Sequence, residues 1–366
     1  MKWPRTSLTE RLHIRYPIIQ APMAGGLATP QLVAAVSNAG GLGSLGAGYM
    51  EPEEIRSTIR EIRTLTDQPF AVNLLIPEPV TEDAEIIEYA YALLEPYYQE
   101  LGLPTDDSSA ANLANLPNLY NVPNFKEQLA VAVEEKANAL SFTFGVPDKK
   151  EIEALKEWRI PIIGTATHLL EAIVLEESGI DIVIAQGAEA GGHRGTFIGD
   201  YEQCLVGAMA LIPVLVDHLS IPVVAAGGIM DGRGIVAALA LGAAGSQMGT
   251  AFLACPENGV RPHYKAALQA GTEISTVLTR VFSGKFARGL KNRFIDELLE
   301  NETDLPGYPI QNALTRDIRR AAAEQDRPEF IPLWAGQGCS LCADRPAGQL
   351  IREWVAQVEA IIRGDR

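Results

Sequence analysis

The chain has 366 residues, 47 % apolar and 21 % charged, with 46 acidic against 30 basic side chains and a formal net charge of −16. That composition builds an ordinary globular core and lacks the basic footprint that nucleic-acid binding requires. The segment Met1–Pro17 has no apolar signal-peptide core, and no stretch reaches the ~18 uninterrupted apolar residues of a membrane span, so a cytoplasmic protein without membrane or nucleic-acid partners is expected.

Short apolar runs alternate with helical patterns along the chain. Pro17–Ala21 reads as a first strand, followed by a helix pattern over Pro30–Asn38. Leu42–Leu45 is the second strand, with a helix over Pro52–Leu65, and Phe70–Leu74 is the third. Leu140–Phe144 is the fourth, with a helix over Asp148–Trp158; Pro161–Thr165 is the fifth, with a helix over His168–Ser178. Ile182–Ala185 is the sixth, Pro222–Ala226 the seventh, with a helix over Arg233–Leu241, and Ser246–Gly249 the eighth. These strands are apolar on both faces, as buried parallel strands are. Repeated βα units of this number predict a (β/α)8 TIM barrel over residues 1–255. An open doubly wound sheet is the alternative, disfavoured by the strand count and by the absence of an early G-x-G-x-x-G.

Two segments exceed the plain barrel. Residues 78–137 are too long for a bare connection, so an inserted cap is expected there, with a helix over Ala84–Leu101 and an Asn- and Pro-rich loop over 112–124. Residues 256–366 read as a helical C-terminal extension packed on the barrel, with no linker composition before it.

The chemistry of such a barrel sits at the carboxyl ends of its strands, and phosphate commonly binds after strands seven and eight. Strand seven ends in Gly227-Gly228, and strand eight in Gln247-Met248-Gly249-Thr250. Glycines let backbone N–H groups approach phosphate oxygens. One glycine pair alone would signify a tight turn; two in the expected places point to a phosphate site. Strand six runs into Gln186-Gly-Ala-Glu-Ala-Gly-Gly-His-Arg-Gly195, where His193 can serve as acid, base or hydrogen-bond donor. Gly191 and Gly192 belong to that loop. Ala21, Pro22 and Met23 end the first strand with side chains compact enough for a flat ring to approach, and Asn73 places an amide at the tip of the third.

Other residues read as structural. His168 opens a helix; His13, His218 and His263 lie away from strand ends. Cys339-Ser-Leu-Cys342 lacks the second ligand pair of a zinc site and the setting of a redox motif, so free thiols are expected. No H-E-x-x-H occurs, and no metal is expected. Gly43-Ser44-Leu45-Gly46 lacks the strand–elbow–helix context of a serine hydrolase.

Taken in order, PIIQAPMAGG, GGLGSLGAG, AVNLLIP, FTFGVP, AQGAEAGGHRGTF, PVVAAGGI and GSQMGTAFL resemble the nitronate monooxygenases, formerly called 2-nitropropane dioxygenases. The likeness continues in the tail with SGKFARGLKNRF, YPIQNALTRDIRRAA and LWAGQG. It implies an FMN cofactor and the oxidation of alkyl nitronates, such as propionate 3-nitronate, with dioxygen to a carbonyl compound and nitrite. It further implies that Ala21, Pro22 and Met23 line the flavin, that Asn73 and Gln186 contact its ring or ribityl chain, and that Gly191 and Gly192 border it. Gly228 and Gln247 to Thr250 would hold the phosphate, and His193 matches the family's catalytic histidine. Some members carry a second histidine where this chain has Thr143. Lys285, Tyr308, Trp334 and Gln337 are candidates for the pocket. The rival reading within flavin barrels is an enoyl-acyl-carrier-protein reductase or NAD(P)H:quinone reductase. A phosphate-binding barrel without flavin is the reading from a different class.

Overall fold

The computed structural model describes residues 3–80, 83–104 and 123–365. Its strands are β1 (Ile18–Gln20), β2 (Gly43–Gly46), β3 (Phe70–Leu75), β4 (Ala139–Thr143), β5 (Ile162–Ala166), β6 (Ile182–Gln186), β7 (Gly192–His193), β8 (Val223–Ala226), β9 (Gly245–Met248), β10 (Thr276–Thr279) and β11 (Ala287–Leu290). Eight of them form one parallel sheet in the order β1-β9-β8-β6-β5-β4-β3-β2. A parallel bridge between Ile19 and Leu42 closes the ring, with the Gln20 N–H donating to Leu42 O and the Leu42 N–H to Ile18 O, each at 2.9 Å. The expected (β/α)8 barrel is therefore the fold.

Alternation along each strand sorts the side chains. One set, including Val72, Leu140, Phe142, Val183, Val223 and Met248, packs outward under the surrounding helices. The other points into the barrel. At its base Ile19, Ala71, Ala139, Ile163, Ile182 and Val224 form a separate apolar cluster, plugged by Leu8 and Leu12 of the helix Ser7–Leu12. Two residues further along, the inward positions become Asn73, Ser141, Thr165 and Gln247. The barrel is thus packed at the bottom and polar at the top.

The segment 78–137 divides in two. The helix Phe125–Glu134 packs on the helix Pro52–Leu65 and on β3, in the place of an ordinary barrel helix. The helix Ala84–Glu100 leaves the barrel and buries Ile87, Ala90, Leu94 and Tyr97 against Phe282, Phe294 and Phe330 of the tail, forming a second core. Of the loop expected over 112–124, residues 112–122 lie outside the described residues.

The tail is less purely helical than its sequence suggests. β10 pairs antiparallel with β11, and β11 pairs with β7 in the register Ala287–His193 and Arg288–Gly192. Both strands are only four residues long, and Arg288 and Gly289 leave β11 without the alternation that marks a strand in sequence. The last helix, Ala347–Arg363, returns to the barrel wall and packs on the helices Gly232–Ala240 and Pro30–Asn38. Among the described residues no helix is long and apolar enough to cross a membrane.

Because Leu8 is fully buried in the basal plug, Leu8→Ala is expected to destabilise the fold by ~2–5 kcal/mol, the range for a deleted buried leucine. Urea unfolding measures it. A loss below about 1 kcal/mol would mean that the plug does not hold the base together.

Candidate active site

A cavity of about 790 Å³ opens at the carboxyl ends of the strands, inside the ~300–1,000 Å³ range of small-molecule sites. Its floor is the polar layer of the barrel: Asn73, Ser141, Thr143, Thr165, Gln186 and Gln247. Ala21, Pro22 and Met23 form one wall, and Gly191, Gly192, Gly249 and Thr250 another. The tail supplies the roof through Phe282, Ser283, Tyr308 and Trp334, and Tyr49 closes it from the barrel side.

Much of the polar floor is internally paired, as buried polar groups usually are. Asn73 Nδ2 donates to Ser141 Oγ at 2.9 Å and to Thr143 Oγ1 at 3.2 Å. Thr143, in the place of a second histidine, is thus an acceptor for Asn73. Gln186 reaches forward along its own chain: its Oε1 accepts from the Gly195 N–H at 2.8 Å, and its Nε2 donates to His193 O at 3.0 Å. Arg194, only 1 % exposed, turns inward and donates to the carbonyls of Gly187, Gln186 and Cys204 at 2.7, 3.0 and 3.0 Å. Burial lowers its pKa to about 10, so it stays charged at neutral pH. Buried Glu171 accepts from the N–H groups of Thr167, Phe197 and Ile198 at 2.6, 2.6 and 3.1 Å. These contacts hold the loop that carries His193 from both sides.

The His193 Nε2 lies 2.8 Å from Ser283 Oγ. The ring meets Phe144 edge-on, with centroids 6.0 Å apart, and tilts against Trp334 at 5.4 Å. Burial first, then the positive charges of Lys285 and Arg319, push its pKa down from 6.5 to about 4. Lys285 stands 4.3 Å from the Phe144 ring centroid and pairs with Glu78 at 2.5 Å. Arg319 lines the cavity and donates to Asn312 O, Asn312 Oδ1 and Thr315 Oγ1 at 2.6, 3.0 and 3.1 Å. It forms no ion pair with a carboxylate among the described residues, and burial lowers its pKa to about 10. Burial is the largest influence on the Tyr49 and Tyr308 hydroxyls and raises both above the ordinary phenol range. Both keep their protons.

Glycine is required where the tail crosses the site. A Cβ on Gly191 would fall 2.4 Å from Gly336 N and 2.5 Å from Ala335 C. The tail lies that close because the Gly336 N–H donates to Thr250 Oγ1 at 2.9 Å and the Gln337 N–H to Glu189 O at 3.0 Å.

The structure brings Ala21, Pro22, Met23, Asn73, Gln186, Gly191, Gly192, His193, Gln247, Gly249 and Thr250 to one cavity. It does not bring Gly227, Gly228 or Met248 to that wall. The loop after β6 stands in front of the glycine turn: the Gly187 N–H donates to Ala226 O at 2.8 Å, and a Cβ on Gly227 would lie 3.1 Å from Ala190 N. Met248 is an outward position of β9, contributing only its carbonyl, which accepts from the Ala21 N–H at 2.8 Å. Tyr308 and Trp334 are on the wall, whereas Lys285 sits behind Phe144 and Gln337 is not a lining residue. His168 is structural, its Nε2 3.0 Å from Ile198 O, but His263 lies on the cavity rim with Arg261. Tyr49, Phe144, Ser283 and Arg319 were not legible in advance. Arg319 belongs to the strongly amphipathic helix Arg316–Glu324, where a charge reads as a solvated face.

Cys342 and Cys339 spend their thiols as donors to Thr250 O at 3.0 Å and Thr272 O at 3.3 Å, and all four cysteines are free.

Residues 5–357 match the nitronate monooxygenase family profile. A probable nitronate monooxygenase of Staphylococcus haemolyticus is 44 % identical over 98 % of this chain and 99 % of its own length. One of Staphylococcus saprophyticus is 45 % identical over 98 % of each. Among solved structures, nitroalkane oxidase from Streptomyces ansochromogenes superposes with a TM-score of 0.89 at 37 % identity, covering 98 % of this chain and 99 % of that one. FabK from Thermotoga maritima superposes with a TM-score of 0.75 at 32 % identity, covering 98 % of both.

The depressed pKa has a visible consequence. The folded state resists a proton that the unfolded chain accepts near 6.5, so falling pH between there and about 4 favours unfolding through this group. The His193 ring resonances are expected to stay those of the neutral form until the pH approaches 4. A midpoint near 6.5 in an NMR titration would contradict the burial and the two cations.

Proposed function

The chain belongs to the nitronate monooxygenase family, and from that premise we propose that it binds FMN in the barrel-top cavity and oxidises alkyl nitronates, such as propionate 3-nitronate, with dioxygen to a carbonyl compound and nitrite. Its class is oxidoreductase. The residues present fit that cofactor. Ala21, Pro22 and Met23 offer a compact ledge for a flat ring, and the amides of Asn73, Gln186 and Gln247 offer donors and acceptors for its polar edge and ribityl chain. Gly191, Gly192, Gly249 and Thr250 form the corner for the phosphate, where side chains would otherwise obstruct backbone N–H groups. Gly227, Gly228 and Met248 support this corner from behind. When bound, the flavin supplies the electron acceptance that these side chains lack.

One observation carries the nitronate reading: Arg319, on the wall of the same cavity as His193, has no carboxylate partner among the described residues. A nitronate is an anion, and a half-buried guanidinium with no ion-pair partner among the described residues gains most from one. Arg319 holds the substrate's charge, with the protonated Tyr49 and Tyr308 hydroxyls near it as donors. Lys285 adds potential from behind Phe144. His193, neutral at working pH, is the base that removes the α-proton when a neutral nitroalkane enters. Four free thiols and an acidic surface fit a reducing cytoplasm.

The likeness to FabK supports a second reading, an FMN-dependent enoyl-acyl-carrier-protein reductase or NAD(P)H:quinone reductase. The two separate on purified protein. The chain is expected to be yellow and to bleach when mixed anaerobically with propionate 3-nitronate, with nitrite appearing once air is admitted. Bleaching by NADH alone would favour the reductase, and a colourless protein that takes up no flavin would sink both.

The role of Arg319 has its own check. Arg319→Met is expected to raise KM for the nitronate by about tenfold or more, a charged hydrogen bond being worth ~1.5–3 kcal/mol. An unchanged KM would remove Arg319 from substrate binding.

A further inference from the structure

We propose that Ser283 is a positioning residue that fixes His193 as its Nε2–H tautomer and leaves the Nδ1 lone pair as the proton acceptor of the site. Ser283 Oγ lies 3.0 Å from Lys285 O and 2.8 Å from His193 Nε2. A carbonyl oxygen only accepts, so the single hydroxyl proton of Ser283 goes to Lys285. The contact with His193 must then take its proton from the ring. The Lys285 N–H, 3.4 Å from the same Oγ, occupies the remaining acceptor position. A neutral imidazole has one N–H, so Nδ1 carries none.

The surroundings fix this arrangement. Ser283 is 2 % exposed, so no bulk water competes for its oxygen. The pairing of Ala287 with His193 sets the backbone, and the Phe144 and Trp334 rings set the plane of the imidazole. Nδ1 has no hydrogen-bond partner among the described residues, and His193 lines the cavity. The second-site contact that normally decides which imidazole nitrogen is protonated is, in this chain, a serine whose own proton is committed to a carbonyl.

The chemical consequence rests on the reading of His193 as the base. A neutral nitroalkane gives its α-proton to Nδ1. The C–H bond breaks, its electron pair enters the carbon–nitrogen bond of the nitronate, and the ring becomes an imidazolium whose Nε2–H still points to Ser283. No oxidant is consumed in this step. A preformed nitronate skips it, so Ser283 affects the two substrates unequally.

Nitrogen-15 NMR of histidine-labelled holoenzyme tests the tautomer directly, with His193→Asn assigning the resonance. The expected spectrum has a protonated Nε2 and an unprotonated Nδ1 at His193. Ser283→Ala is expected to give tautomer-averaged shifts and to lower kcat/KM for a neutral nitroalkane by about tenfold relative to the preformed nitronate, within the range of general-base effects. Ser283→Thr is expected to restore both. Should Ser283→Ala fail to fold, the wild-type spectrum and Ser283→Cys, a weak acceptor of the same shape, carry the same comparison. A protonated Nδ1 in the wild type, or an unchanged tautomer in the folded variants, would overturn the proposal. Full nitroalkane turnover by His193→Asn would instead remove the base reading, while the spectra still decide the role of Ser283.

Discussion

The whole site depends on a change of character along the inward-facing positions of the barrel. Strand alternation puts every second residue inside. Near the base those residues are Ile19, Ala71, Ala139, Ile163 and Ile182, closed by Leu8 and Leu12. One step higher they are Asn73, Ser141, Thr165, Gln186 and Gln247. A dry plug closes the barrel below, and the polar layer above is tolerated inside it where its members bond to each other and to nearby backbone. Asn73 on Ser141 and Thr143, and Gln186 on Gly195 and His193, are those bonds. The same two-residue period thus yields both the stability and the binding floor.

From that floor the site is completed by chain that does not belong to the barrel. Gln186 begins the loop that carries His193, and buried Arg194 and Glu171 pin the loop to carbonyls and N–H groups. β11 then pairs with β7, so the tail arrives already in register with His193. Ser283, Trp334 and Gly336 come with it, and Tyr308 and Arg319 follow from the second core built on the helix Ala84–Glu100. Barrel, excursion and tail thus meet at the cavity, and the helices that carry Tyr308 and Arg319 to its wall are anchored in the second core through Ile310 and Ile318.

Much of the barrel was legible in the sequence because its strands are continuous apolar runs and its turns are glycine-rich. Asn73, Gln186 and Gln247 were legible for the same reason: each is the first polar side chain at the end of an apolar run. His193 stood out in a loop of glycines. Spacing alone does not reveal that Ala190 of the loop after β6 packs on Gly227, or that Met248 faces the helices outside the barrel rather than the cavity. Ser283, Tyr49 and Arg319 escaped because their importance comes from long-range contacts. A serine acquires its meaning only from the histidine ninety positions earlier in the chain that it touches, and an arginine in an amphipathic helix looks solvated until a second core turns its face inward.

The most direct test of the account is the affinity of the flavin-free chain for FMN and for riboflavin, measured side by side by quenching of flavin fluorescence. A phosphate held by backbone N–H groups and Thr250 at the glycine corner contributes charged hydrogen bonds of ~1.5–3 kcal/mol each. FMN is therefore predicted to bind at least about tenfold more tightly than riboflavin, and substitution of Gly191 by valine to abolish that difference by driving the tail off the corner. Equal affinity for the two flavins in the unmodified chain would contradict the central claim that this cavity is built around a flavin's phosphate.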